Sequence, residues 1–280
     1  MAASVARTGK TGRNAGRRQL VRAVVASTIA TTIVWYDFFL YGFAATLVLG
    51  RLFFPTRDPF AGTLLALGTY FAGFAARPLG AMLFGHLGDR IGRRATLIAT
   101  LLLMGLATTL VGVVPTYAGA GILGAVVLTL LRLVQGVCVG GEWAGSALLS
   151  IEWGHRGRRG FVGSWTQLAL PAGLALAYGS LLLFTTWLGE DAGWRWPFLV
   201  SVVLVAVAVY VRLGVRETPA FTGLLDERRI EQAPVLGAVS RHWREIVLTT
   251  LLRIGQQVPF YVFTVFVLSY ATDTLRLERS

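Results

Sequence analysis

Charge is scarce in this chain. Of its 280 residues only 14% are charged, against about 25% in an ordinary soluble domain. Lysine is nearly missing. Lys10 is the sole example and lies in the amino-terminal tail, so no apolar segment offers an amine for a Schiff base, which argues against a retinal-type receptor. Cysteine is equally rare. Cys138 stands alone inside an apolar run, which excludes an internal disulfide and reads as a small core hydrophobe. No H-E-x-x-H string and no Ser/His/Asp set occurs within the apolar segments, so a membrane hydrolase is disfavoured, an enzyme is not expected, and neither a metal nor a cofactor is implied. The apolar runs also lack the period-2 alternation of a barrel strand.

Those runs are the dominant feature. Hydrophobic residues make up 55% of the chain and the mean hydropathy is +0.63. Spans are expected near 22–50, 61–85, 95–115, 118–151, 161–188, 196–212 and 245–271. A helix needs roughly 20 apolar residues to cross about 30 Å of hydrocarbon, so an all-α, multi-pass membrane protein is predicted. The first run, from about Val21 to Gly50, is too long for the h-region of a cleavable signal peptide. Basic residues alternate between connections: 18 fall on one side, the amino-terminal tail included, and 5 on the other. By the positive-inside rule the richer side, with the amino terminus, is cytoplasmic. The net charge of +12 is then topological, and a nucleic-acid partner is not expected; the lipid bilayer is.

Five charges fall inside spans: Asp37 in the first, Arg77 in the second, Arg132 and Glu142 in the fourth, and Arg253 in the seventh. Asp37 lies about 22 Å along its helix from Arg22, and Glu142 about 15 Å from Glu152, so both fall near mid-membrane. An ion at that depth costs about 3 kcal/mol or more and normally faces a partner or a watery cavity. Spans one, two, four and seven are therefore expected to line something polar. Spans three and six read as lipid-facing.

The second and third spans are joined by Gly85-His-Leu-Gly-Asp89-Arg90-Ile-Gly92-Arg93-Arg94. The glycines at Gly85 and Gly92 suit a tight turn, and Asp89 with the arginines forms a charge cluster at helix ends. This string matches the G-x-x-x-D-R-x-G-R-R signature of the major facilitator superfamily at every specified position. The segments "WYDFFLYGF" (35–43), "ARPLGAMLFGHLGDRIGRR" (76–94), "RLVQGVCVGGEWAGSALL" (132–149), "GWRWPFL" (193–199) and "RETPAF" (216–221) resemble that superfamily's metabolite:proton symporter group, which carries α-ketoglutarate, citrate, shikimate, proline and betaine. The resemblance runs from Arg22 to about Ala271. It implies the major facilitator fold, two six-helix bundles around a central cavity, each built of inverted three-helix repeats. It also implies secondary transport of a small carboxylate or zwitterion with protons, at the plasma membrane. In these terms residues 1–21 are a basic cytoplasmic tail and 22–212 the amino-terminal bundle. Residues 213–244 are a cytoplasmic linker with "VLGAVSRHW" a candidate surface helix, and 245–280 hold the first helix of the second bundle, with five helices absent. A non-transporting fragment of such a carrier is the alternative.

The resemblance also nominates residues. Asp37 and Glu142 are candidates for proton coupling, with a structural role open for each. Glu142 sits among Gly140, Gly141 and Gly145, where close helix approach desolvates it, and an ion pair with an arginine of the same bundle is the other reading. Tyr41, one turn from Asp37, Arg77, Arg132, Gln135 and Arg253 are substrate-binding candidates. Arg132 and Gln135 match the superfamily's R-x-x-Q-G pattern, and Arg132 could hold a carboxylate or pair with an acid. If the five charged groups share one cavity, its net charge is +1, which favours an anionic group. Gly85, Asp89, Arg90, Gly92, Arg93 and Arg94, with Glu152 and Arg159, form a candidate cytoplasmic gate. His86 reads as part of the loop turn. Trp35, Tyr36, Phe38 and Phe39 could wall a quaternary ammonium or simply pack. The tryptophans of "GWRWPFL" read as interfacial anchors.

Overall fold

The computed structural model describes residues 2–56, 58–153, 159–214 and 234–261, with most side chains described from Leu20 onward. All regular structure among the described residues is helical. Span one is α1 (Ala2–Ala44), continued through a π-helical segment (Ala45–Leu49) into α2 (Gly50–Phe53). Span two is α3 (Pro59–Ile91), span three α4 (Arg93–Val113) and span four α6 (Ile122–Trp153), entered through the short α5 (Tyr117–Ala120). Span five is α8 (Ala169–Leu188), preceded by α7 (Arg159–Ser164) and a 3-10 turn (Trp165–Leu168). Span six is α10 (Arg195–Leu213), preceded by α9 (Glu190–Gly193). By length and apolar composition five helices qualify as membrane spans among the described residues: spans one, three, four, five and six. At 33 residues α3 is also long enough, about 50 Å.

Local rules set the ends. Asp58 caps α3, its carboxylate accepting the Phe60 amide at 3.0 Å, with Pro59 following at the first helical position. Gly92 takes φ 101° and ψ 148°, a conformation closed to other residues, and so separates α3 from α4 in a single step. Gly85 and His86 lie inside α3 rather than in a turn, which corrects the expectation for both. At the opposite end, Arg195 Nη1 donates to the carbonyls of Gly112 and Val114 at 2.8 and 3.0 Å, satisfying the exposed terminus of α4.

The pairing of α3 with α6 depends on small residues. A Cβ added at Gly80 would lie 1.8 Å from the Val137 carbonyl, one at Gly136 2.0 Å from the Gly73 carbonyl, and one at Gly140 2.1 Å from the Arg77 carbonyl. These are backbone-to-backbone approaches of the small-xxx-small kind that lipid-embedded helices use in place of a hydrophobic driving force. Gly140→Ala is therefore expected to destabilise the purified protein by about 1–3 kcal/mol, read as a lower denaturation midpoint in detergent. An unchanged midpoint would mean that the two helices separate freely.

The outer core gathers Tyr36, Leu40, Phe53, Leu128, Trp194 and Phe198. Trp194 is fully buried there, edge-on to Phe53 and Phe198, so it is a packing residue and not an interfacial anchor. Trp196 remains 46% exposed. Residues Ala233–Ser280 form a separate compact unit from Met1–Gln232. Its helix α11 (Pro234–Tyr261) contains one non-helical residue, His242 at φ −122° and ψ 28°, which separates the "VLGAVSRHW" stretch from the apolar segment beyond. The part of the expected seventh span after Tyr261 lies outside the described residues.

Candidate functional site

Two buried polar centres lie along α4 and α6. The first surrounds Asp37. Its Oδ1 accepts from Thr108 Oγ1 at 2.6 Å and from Gln135 Nε2 at 3.0 Å, and Gln135 Nε2 also lies 3.0 Å from Thr108 Oγ1. Arg132, one helical turn from Gln135, donates to Gln135 Oε1 at 3.2 Å. The same guanidinium nitrogen is 3.9 Å from Asp37 Oδ2, a charge pair without a direct hydrogen bond. Asp37 and Arg132 are each 2% exposed. The Arg132 guanidinium lies 4.4 Å from the Tyr41 ring centre, 4.8 Å from Tyr70 and 5.1 Å from Phe38. Tyr41 Oη shares a hydrogen bond of 2.5 Å with Thr69 Oγ1.

Arg77 belongs to the same neighbourhood. Its guanidinium lies 4.3 Å from the Phe38 centre and 4.2 Å from Phe74, so Phe38 serves both arginines. Desolvated stacking of this kind holds a guanidinium by its face. The aromatic wall is thus already occupied by the protein's own cations. Trp35, Phe38 and Phe39 pack on one another, and Tyr36 donates to the Pro197 carbonyl at 2.8 Å.

The second centre surrounds Glu142. Its two oxygens lie 2.8 Å from Arg212 Nη1; Ser146 donates to one at 2.5 Å and Thr100 to the other at 3.1 Å. Arg212 Nη2 donates to Ser146 Oγ at 2.7 Å. Glu142 and Arg212 are both fully buried. The expectation that Asp37, Glu142 and the arginines share one cavity is therefore corrected. Glu142 and Gln135 are seven residues apart on α6, about 10 Å, and Glu142 answers to an arginine that had been counted among the cytoplasmic connections. Spans three and six are corrected too: span three supplies Thr100 and Thr108, and span six supplies Arg212. The charge balance of the first centre is then two arginines against one acid.

At the α3–α4 junction Arg93 pairs with Asp89 at 3.3 Å, one turn away, and Arg94 donates to the Leu213 carbonyl at 2.7 Å, closing the end of α10. Arg90 is exposed. Glu152 and Arg159 lie on described backbone, but their side chains fall outside the described residues. Arg253 is half-buried within the separate unit. The sequence reading missed Thr100, Thr108, Ser146, Arg212, Tyr70 and Phe74.

A bundle of membrane-spanning helices with a sealed acid–arginine pair on its first and fourth spans defines a polytopic carrier of the major facilitator fold. The chain belongs to the sugar (and other) transporter family, whose profile matches residues 22–246. That is a family of transport proteins, not of enzymes. The chain is 41% identical over 256 residues to the inner membrane metabolite transport protein YhjE of Escherichia coli, covering 90% of this chain and 58% of that protein. It is 39% identical over 268 residues to the shikimate transporter of the same organism, covering 92% of this chain and 60% of that protein. Its fold matches that of the proton:xylose symporter XylE with a TM-score of 0.66 at 18% identity, over 89% of this chain and 55% of that one. The chain thus spans about three fifths of the length of the relatives it matches.

Proposed function

We propose that this chain forms the amino-terminal part of a proton-coupled secondary carrier of a small carboxylate or zwitterion, working by alternating access in the plasma membrane with its amino terminus cytoplasmic. The observation that carries this reading is the Asp37–Arg132 pair. One carboxylate oxygen is anchored by Thr108 and Gln135, while the other faces the guanidinium from 3.9 Å. Such a carboxylate can accept a proton without dismantling its supports, and doing so frees the arginine for an anion. Asp37 is the coupling acid. Arg132, Gln135 and Tyr41 respond to its charge, Arg77 adds a second cation over Phe38, and Arg253 would contribute from the second bundle. The Asp89 junction and Glu152–Arg159 serve as the cytoplasmic gate. The transport of shikimate by one relative and of xylose with protons by the fold's match supports a small polar cargo.

The test is uptake of labelled shikimate, proline and betaine by the full-length carrier in proteoliposomes under an imposed proton gradient. Accumulation of at least one is expected, and dissipating the gradient should abolish it. Accumulation that persists without a proton gradient, or only with sodium, would overturn the coupling. For residues 1–280 alone no gradient-driven accumulation is expected, because alternating access needs one bundle to rock against another. Proteoliposomes of those residues that concentrate a substrate would place the whole path within this chain. Cysteines introduced at 225–232 should label from the cytoplasmic side only; labelling from outside intact cells would reverse the topology.

A further inference from the structure

Hydroxyls in these helices have a regular habit. Thr32, Thr100, Thr108 and Thr109 each donate to a backbone carbonyl three or four residues back, at 2.8–3.0 Å, the usual resolution for a hydroxyl in a lipid-embedded helix. Ser27 and Thr31 do not. Both are buried, at 0% and 1% exposure, and their oxygens form no hydrogen bond among the described residues. Asp37 Oδ2 and Arg132 Nε are buried in the same condition. Buried polar atoms are almost always satisfied, and when protein does not satisfy them, ordered water does.

The placement of these atoms is not scattered. Ser27, Thr31, Val34 and Phe38 follow an i, i+4, i+7, i+11 spacing and so share one face of α1. Phe38 lies under the Arg132 guanidinium, which stands 3.9 Å from Asp37 Oδ2, a separation that suits a bridging water. Val34 packs with Met104 and Cys138. From Asp37 to Thr31 is about 9 Å along the axis and from Thr31 to Ser27 about 6 Å. Val25 and Arg22, just beyond, are exposed. The charged groups flanking the strip are Arg132 at one end and Arg22 at the other. Glu142 and Arg212, on the helices packed against α1, are occupied with each other.

We propose that this face of span one holds a short file of bound water from the Asp37–Arg132 gap past Thr31 to Ser27, and that the file carries the Asp37 proton to the amino-terminal end of the span. The inference rests on Asp37 as the coupling acid. Protonated Asp37 gives its proton to the water at Oδ2 and is left as a carboxylate facing Arg132. Each water or hydroxyl in turn gains one proton and releases another. The excess leaves as hydronium beside Arg22. Thr31 and Ser27 are positioning residues that hold the file across an otherwise apolar stretch.

Two measurements test this on the full-length carrier. In hydroxyl-radical footprinting, where water is the probe, Met104 and Cys138 should oxidise despite 2% and 1% exposure, and Ser27→Ala with Thr31→Val should abolish that labelling. Unlabelled Met104 and Cys138 in the parent protein would overturn the file whatever the variants do. In proteoliposomes, shikimate-driven proton entry should slow about tenfold or more in the Ser27→Ala/Thr31→Val variant, while shikimate counterflow, which moves no net proton, keeps its rate. Should the double variant lose counterflow as well, the single variants and the footprint decide. Proton entry that survives Asp37→Asn sinks the coupling assignment instead. Proton entry lost in Asp37→Asn but untouched by both hydroxyl variants sinks the file alone.

Discussion

Arg212→Ala is expected to destabilise the bundle by about 3–5 kcal/mol, because it strands a buried carboxylate. Glu142 and Arg212 are both wholly out of water and 2.8 Å apart, and Ser146 is shared between them. With the arginine gone, Glu142 keeps only Thr100 and Ser146 as donors. Glu142→Gln should cost a comparable amount, since it leaves the guanidinium uncompensated. Replacing both partners, with Glu142→Leu and Arg212→Met, should recover most of the loss, because a buried pair is often no better than apolar groups of similar volume. Denaturation midpoints of the purified variants in detergent provide the measurement. Arg212→Ala as stable as the parent protein would show that the pair carries no structural weight. The same variants bear on the other candidate role of Glu142. A carboxylate holding four short contacts is suited to a fixed charge, so the double replacement should leave the pH profile of uptake in place. A shifted profile would return Glu142 to the coupling path.

How much of this was legible in the sequence depended on how each partner is encoded. Asp37, Arg132 and Gln135 stood out because a charge or amide inside an apolar run is rare, and because the arginine and glutamine repeat at one helical turn. The family string at 85–94 stood out through its spacing, and family membership and fold followed from it. Thr100 and Thr108 did not, since a threonine in an apolar helix usually bonds its own backbone and looks like filler. Arg212 was hidden for a different reason. It sits at a helix end, where topology alone would place an arginine, and its partner is 70 residues away on another helix. The misreading of Gly85, His86 and Trp194 has a related cause. Loop-like glycines and interface-like tryptophans are statistical habits, and here the α3 helix simply continued to Gly92 while Trp194 found Phe53 and Phe198. The π-helical turn at Ala45–Leu49 left no mark in composition at all.

Asp37→Asn should abolish proton-driven accumulation in the full-length carrier, a loss of roughly 100-fold or more if the proton has no other acceptor. The substitution is nearly isosteric. An asparagine oxygen can still accept from Thr108 and Gln135, which lie 2.6 and 3.0 Å from Asp37 Oδ1, so the protein should remain folded in the membrane. What disappears is the charge facing Arg132 across 3.9 Å, and with it the ability to exchange one proton per cycle. Substrate exchange at equal pH should persist, because Arg132 and its aromatic supports Tyr41, Tyr70 and Phe38 are untouched. Arg132→Lys offers the complement. An ammonium cannot reproduce a planar guanidinium stacked over three rings while bonding Gln135, so this variant should weaken exchange and accumulation together. The decisive pattern is the contrast, accumulation lost with exchange kept in one variant and both reduced in the other. Should Asp37→Asn concentrate substrate normally under a proton gradient, Asp37 is a structural acid, and coupling must be sought at another protonatable group.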